Sequence, residues 1–131
     1  MKISKAIDAW HEILESGKPN LLDELLAEDV VFHSPILHTP QKGKALTKMY
    51  LSAAYYVLFK NGFTYKRQIL QDNQAMLEFE AEIDGIIING VDIIECNENG
   101  EICEFKVMVR PLQGLQKVQE KMLQMLEKSK S

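Results

Sequence analysis

The period of the apolar residues changes from helical to alternating near Phe63 and returns to helical after Pro111, dividing the chain into helices, strands and one last helix. Ile3, Ala6, Ile7, Trp10, Ile13 and Leu14 recur on one helical face, and Gly17 with Lys18-Pro19 supplies a stop, which predicts a helix over 4–16. Asn20 stands as the N-cap of a second, short helix. There Asp23 and Glu24 complement the dipole of the first turn, and Leu21, Leu22, Leu25 and Leu26 form the buried side. Residues 30–33 read as a brief strand ended by Ser34-Pro35, and the stretch to Pro40 as a loop. A third helix is predicted over 44–60, since Ala45, Leu46, Met49, Tyr50, Ala53, Ala54, Val57 and Leu58 mark one face and Asn61-Gly62 make a stop.

From Phe63 the residues alternate. A strand over 63–71 turns at Asp72-Asn73 into a second, where Ala75, Leu77, Phe79, Ala81 and Ile83 alternate with Met76, Glu78, Glu80 and Glu82. Asp84-Gly85 and Asn89-Gly90 are both turn-like, so 86–88 is either a short strand or a wide connection. A strand over 91–96 turns at 97–100 into the last, where Cys103, Phe105, Val107 and Val109 alternate with Glu104, Lys106, Met108 and Arg110. Pro111 closes the sheet, and Leu115, Val118, Met122, Leu123, Met125 and Leu126 describe a C-terminal amphipathic helix. Three helices, a run of antiparallel strands and one helix make an α+β pattern, with helices on one side of a sheet. With no linker or repeat in view, residues 1–131 read as one domain.

Strand parity sharpens one position. If Glu78, Glu80, Glu82, Glu95, Glu104, Lys106 and Arg110 share the outer face, opposite charges there can pair across strands, and Asp92, Ile94 and Cys96 point inward among Phe79, Phe105 and Val107. A carboxylate buried without partners costs several kcal/mol, on the order of what a whole domain's stability tolerates, so an inward Asp92 must be hydrogen-bonded, protonated or facing a wet cavity. The reading preferred is a pocket. The same parity leaves Met76, Val91, Ile93 and Met108 outside, an apolar patch that a second subunit would cover, so a homodimer through the sheet face is expected.

Composition and charge narrow the partners. A 131-residue chain with 46% hydrophobic and 26% charged residues buries a sizeable core, and its formal net charge of −4 withholds the attraction that drives nucleic-acid binding. No apolar run reaches the roughly 18 residues of a membrane span, and residues 1–12 form no signal-peptide core. A cytoplasmic location is therefore expected. Cys96 and Cys103 lack the further ligands of a zinc site and read as reduced thiols. The Gly-Lys pairs at Gly17 and Gly43 lack the phosphate-loop spacing, so neither metal nor cofactor is expected.

The stretches DELLAEDVVFHSP, PQKGKA, LEFEAEIDG, NGVDII, NENGEI and EFKVMVRPL, with the Tyr-rich helix between them, resemble the nuclear transport factor 2-like superfamily and its SnoaL-like bacterial members. The resemblance spans nearly the whole chain. It implies a cone-shaped fold, a curved sheet wrapped around helices with an apolar pocket between them, and frequent dimerisation. Relatives include ketosteroid isomerase, scytalone dehydratase, limonene-epoxide hydrolase, polyketide cyclases and non-enzymatic binding proteins, so function has to be argued from the site. By position Asp92 is similar to the strand acid some of these enzymes use as a base, whereas neither a Tyr-plus-acid oxyanion hole nor an Asp-Arg-Asp set can be traced completely.

Asp92 is thus the candidate catalytic acid–base, with His33 as its candidate helper. Trp10, Phe32, Tyr50, Tyr55, Phe59, Phe79, Phe105 and Val107 are candidates to line a pocket for a small apolar molecule, and aromatics at such spacing equally make ordinary core. The function expected is cofactor-independent isomerase, cyclase or dehydratase chemistry on a carbonyl-type compound. The alternative is a non-catalytic ligand-binding or protein-interaction module in which Asp92 is structural.

Overall fold

A computed structural model describes residues 2–60 and 62–128. Helix α1 (Lys2–Ser16) leads through a 3-10 turn (Pro19–Leu21) into the single-turn α2 (Leu22–Leu25), strand β1 (Leu26–His33), the two-residue β2 (Gln41–Lys42) and α3 (Lys44–Ala54). The chain then leaves α3 through a π-helical turn (Tyr55–Phe59). Strands β3 (Thr64–Gln71), β4 (Gln74–Ile83), β5 (Ile86–Cys96) and β6 (Ile102–Arg110) follow, and α4 (Leu112–Lys128) ends the described chain.

One six-stranded sheet has the order β2-β1-β6-β5-β4-β3, antiparallel throughout except where β1 lies parallel to β6. The α+β architecture expected from the sequence is therefore present, as a mostly antiparallel sheet with one parallel pair. Helices cover its inner face, where Trp10, Phe79 and Phe105 are among the largest fully buried side chains.

Four local expectations change. Asn20 caps nothing: it lies inside the 3-10 turn, and neither that turn nor α2 receives a side-chain cap. The third helix loosens to π geometry for its last turn, and Asn61, expected in its stop, lies outside the described residues. The first strand starts four residues earlier than its apolar run, because Leu26 and Ala27 are buried on entry while Glu28 and Asp29 look outward.

The largest change concerns Asn89-Gly90, which makes no turn. Asp84 and Gly85, both at positive φ (52° and 80°), already close a two-residue hairpin between Ile83 and Ile86, so β5 runs unbroken through Asn89 and Gly90. Gly90 is there for a different reason. A Cβ on it would sit 2.4 Å from Cζ of Phe79 and 2.6 Å from the backbone oxygen of Met108, so only glycine admits the Phe79 ring across the strand.

Outer-face charges also pair differently from the sequence-based expectation. Because β5 lies between β4 and β6, Glu78 does not reach Lys106; it accepts from Nε of Arg67 on β3 at 2.6 Å and from the Asn89 amide at 3.1 Å, while Arg110 reaches Asn89 at 3.5 Å.

Candidate functional site

Asp92 is set inward by the ladder itself. It stands between Leu77 of β4 and Val107 of β6, and the residues two steps away on β5, Gly90 and Ile94, are buried on the same face. The residue is 3% exposed. Tyr65 of β3 reaches across β4 to meet it: the Tyr65 hydroxyl donates to Asp92 Oδ2 at 2.6 Å and accepts from the indole Nε1–H of Trp10 on α1 at 2.8 Å. Asp92 Oδ1 has no protein partner among the described residues.

Electrostatics follow from this placement. Burial lifts the Asp92 carboxyl from its ordinary value to about 7, and the Tyr65 hydrogen bond opposes that rise because it favours the charged form. Burial, and then the negative Asp92 beside it, hold the Tyr65 phenol well above its usual value. Tyr65 therefore stays protonated across the range in which Asp92 titrates, and the pair exchanges a single proton near neutrality.

Asp92 opens onto a cavity of about 160 Å³ between the inner sheet face, α3 and α4. The sheet supplies Phe32, Phe79, Phe105, Val107 and Val109; α3 and its π turn supply Tyr50, Leu51, Ala54, Leu58 and Phe59; α4 supplies Val118, Gln119, Met122, Leu123 and Leu126. The loop Ser34, Pro35, Ile36 and Leu37 and the ring of Phe63 complete it, and the exposed Leu37 and Leu123 mark its open side. Among the described lining residues Asp92 is the one carboxyl group, and no Lys, Arg or His faces it.

Of the residues expected to form a pocket, the structure brings Phe32, Tyr50, Phe59, Phe79, Phe105 and Val107 together with Asp92. Trp10 stands behind this wall, edge-on to Phe59 and Phe105, and reaches the site through Tyr65. Tyr55 faces away from the cavity: it leans on Tyr56 and Phe59, with its hydroxyl close to Gly17. His33 is not brought to Asp92 either. Since Phe32 points inward, the next residue along β1 must point outward, and His33 Nε2 lies 3.2 Å from Glu104 on the outer face.

Two parts of the site escaped the sequence reading. Tyr65 shares its face with Phe79, opposite it in the ladder, but the register shifts between Tyr65 and Arg67, so the alternation of β3 breaks at the residue that would have revealed it. The second is α4, whose apolar face proves to be a cavity wall. It is tied down where Lys117 and Lys121 both approach Asp84 of the hairpin turn, at 3.4 and 3.3 Å.

Cys96 and Cys103 are free thiols, and burial raises both, Cys103 to about 11, so neither is a nucleophile near neutral pH. Among the described residues no group of three or more His, Cys, Asp or Glu is placed to hold a metal, and no helix is long and apolar enough to cross a membrane.

The chain matches the model of the SnoaL-like domain over residues 7–105. A solved steroid delta-isomerase from Pseudomonas aeruginosa is 32% identical, with a TM-score of 0.93 over 98% of this chain and 93% of that one. An uncharacterized protein with a cystatin-like fold from Silicibacter pomeroyi is 29% identical, with a TM-score of 0.82 over 89% of this chain and 82% of that one. SalBIII, an epoxide hydrolase/cyclase-like enzyme of pyran ring formation in the polyether salinomycin, shares the fold at 13% identity, with a TM-score of 0.67 over 83% of this chain and 91% of that one. No curated protein matches. With its curved sheet, its helix-covered inner face and this match over most of its length, the chain belongs to the SnoaL-like domain family and has the nuclear transport factor 2-like fold.

Proposed function

We propose that the protein admits a small, largely apolar carbonyl compound to the cavity and that Asp92 moves a proton on it without a cofactor, in the manner of an isomerase, cyclase or dehydratase. The observation that carries this reading is a carboxyl group in an apolar wall, 3% exposed and lifted by burial to about 7, with one oxygen held by Tyr65 and the other without a protein partner among the described residues. A base with such a value is substantially ionised at neutral pH and still basic enough to take a proton from a carbon beside a carbonyl, which is the compromise general catalysis favours. The apolar wall helps by excluding water that would solvate the carboxylate and the developing enolate. Tyr65 keeps the carboxylate oriented, in the place the sequence reading gave to His33. That two structural neighbours are a steroid delta-isomerase and an epoxide hydrolase/cyclase-like enzyme supports this class of chemistry.

The test is deuterium incorporation in heavy water. A panel containing a β,γ-unsaturated ketosteroid and cyclic polyketide-like ketones is incubated with the protein, and label beside the carbonyl is read by mass spectrometry. Wild type is expected to exchange at least one ketone, with a rate that rises through about pH 7 as Asp92 ionises, and Asp92→Asn is expected to lower that rate by about 10²- to 10⁴-fold. An unchanged rate in Asp92→Asn would remove Asp92 as the base. Ligand binding without exchange by wild type would leave the binding-module reading in its place.

The same reading includes a homodimer through the outer sheet face and a reducing, cytoplasmic setting that suits the two free thiols. Ile69, Met76 and Met108 are 65%, 49% and 51% exposed there, beside Val91 and Ile93, and they floor a groove edged by Arg67, Glu78 and Arg110. Both signs of charge at the rim of an apolar patch suit an isologous contact. Light scattering at micromolar concentration is expected to give about twice the 15.0 kDa of one chain, and a Met76→Glu, Met108→Glu double variant a single chain. A wild-type species of one chain mass would sink the dimer.

A further inference from the structure

We propose that Trp10 is a positioning residue: acting through Tyr65, it fixes the direction of the hydrogen bonds so that the exchangeable proton of Asp92 is carried on Oδ1, the oxygen left to the cavity. The inference rests on the reading of Asp92 as the proton-carrying group, and it concerns which oxygen carries the proton and what enforces that choice.

An indole Nε1–H can only donate, so the Tyr65 oxygen 2.8 Å from it must accept there. The Tyr65 hydroxyl has one proton, and among the described residues its one other hydrogen-bonding neighbour is Asp92 Oδ2 at 2.6 Å. The chain therefore runs one way, from Trp10 through Tyr65 to Asp92, and Oδ2 is always the acceptor. Were Asp92 protonated on Oδ2 and donating back, the Tyr65 proton would have no acceptor among the described residues, and a buried donor without a partner is costly. The proton that Asp92 gains is thus displaced to Oδ1. Trp10 is held for this role by edge-on contacts with Phe59 at 5.8 Å and Phe105 at 5.1 Å, which fix the indole plane behind the cavity wall.

The arrangement has a second effect. By donating to Tyr65, Trp10 makes that hydroxyl a stronger donor to the carboxylate, so two residues that do not line the cavity favour ionised Asp92 in sequence. The other elements packed on Asp92 bring it no charge: β4 presents Leu77 and β6 presents Val107, while Glu78, Glu95, Glu104 and Lys106 lie on the opposite face of the sheet. Among the described residues α3 adds Tyr50 to the cavity wall and α4 adds no charged group, and α1 brings His11, whose ring lies edge-on to Tyr65 at 5.3 Å and whose Nε2 is bonded to Gln68 at 3.1 Å.

The experiment is a carbon-13 NMR titration of the Asp92 carboxyl in the full chain, which requires no substrate and so can fail independently of the proposed activity. Tyr65→Phe is expected to raise the midpoint by about one to two pH units, the effect of losing one hydrogen bond to a charged group. Trp10→Phe is expected to raise it by roughly half a unit, a fraction of that bond. In the Tyr65→Phe background the Trp10 substitution is expected to leave the midpoint where it was, because the indole acts only through the phenol. A merely structural Trp10 behaves differently, since a loosened core admits water and lowers the midpoint. If Trp10→Phe does not fold, benzothienylalanine at that position keeps the ring shape and replaces the N–H by sulfur, with the same expected rise. His11→Gln assigns any second inflection to His11. An unchanged or lowered midpoint in the Trp10 variants, or an equal rise with and without Tyr65, would overturn the proposal.

Discussion

Asp92→Asn is expected to make the protein more stable above neutral pH while it loses proton transfer. In the unfolded chain this carboxyl gives up its proton near pH 4, an ordinary value of about 3.9, whereas in the fold it holds the proton to about 7. Between those values the folded state binds more protons than the unfolded one, so wild-type stability falls as pH rises from about 4 to about 7 and stays at the lower level beyond. An amide at this position is neutral at every pH and escapes that fall, and its oxygen can still accept from Tyr65. A separation of roughly three pH units sets a ceiling of about 4 kcal/mol on the gain, and because Asp92 is 3% exposed little of it is screened. Urea unfolding should therefore give Asp92→Asn an advantage of about 2 to 4 kcal/mol at pH 8 and almost none at pH 4. An advantage of equal size at both values would mean that the substitution acts through packing and not through ionisation. A group that costs stability at the pH where it is useful is what a functional acid in an apolar wall requires.

Gly90→Ala is expected to be the most damaging single-methyl addition in the chain. The new Cβ would stand 2.6 Å from the Met108 backbone oxygen, which β6 holds in place, and 2.4 Å from the Phe79 ring, which is stacked on Phe63 at 5.0 Å. Neither neighbour can give way freely, so the strand pairing or the ring must shift. Overpacking of this kind costs about 1 to 3 kcal/mol, and the upper part of that range is expected, because one of the two collisions is with backbone. Phe79 also lines the cavity, so ligand binding should weaken together with stability. Gly85→Ala provides the comparison: its Cβ would meet nothing within 4 Å, and its cost is confined to the positive φ of 80°. A loss below about 0.5 kcal/mol in Gly90→Ala, the scatter of ordinary surface changes, would contradict this account of why β5 carries a glycine at its centre.

Gly90 also shows where the sequence stops being legible. Two Xaa-Gly pairs with turn chemistry stand five residues apart, and local rules cannot rank them, because what decides is the Phe79 ring on a neighbouring strand. Asp92, in contrast, could be placed from the sequence, since side chains alternate strictly along a strand and Glu95, set on the outer face with the other charges, fixes the phase. The same rule, applied to Phe32 and His33, turns His33 outward, beside Glu104. Tyr65 needed two facts that no strand pattern holds: a shift of register in β3, and the reach of a phenol over β4 to β5. The parallel pairing of β1 with β6 is likewise a long-range choice, made by elements about seventy residues apart. Sequence periodicity thus located the acid and most of the aromatic wall, and tertiary packing supplied the acid's partner.

The central claim is that Asp92 is a cavity acid exchanging its proton near neutrality, and the titration of its carboxyl by carbon-13 NMR in the wild-type protein tests it most directly. The account predicts one inflection with a midpoint at about 7; a carboxyl already ionised below about pH 5, as in the ordinary range for aspartate, would contradict it.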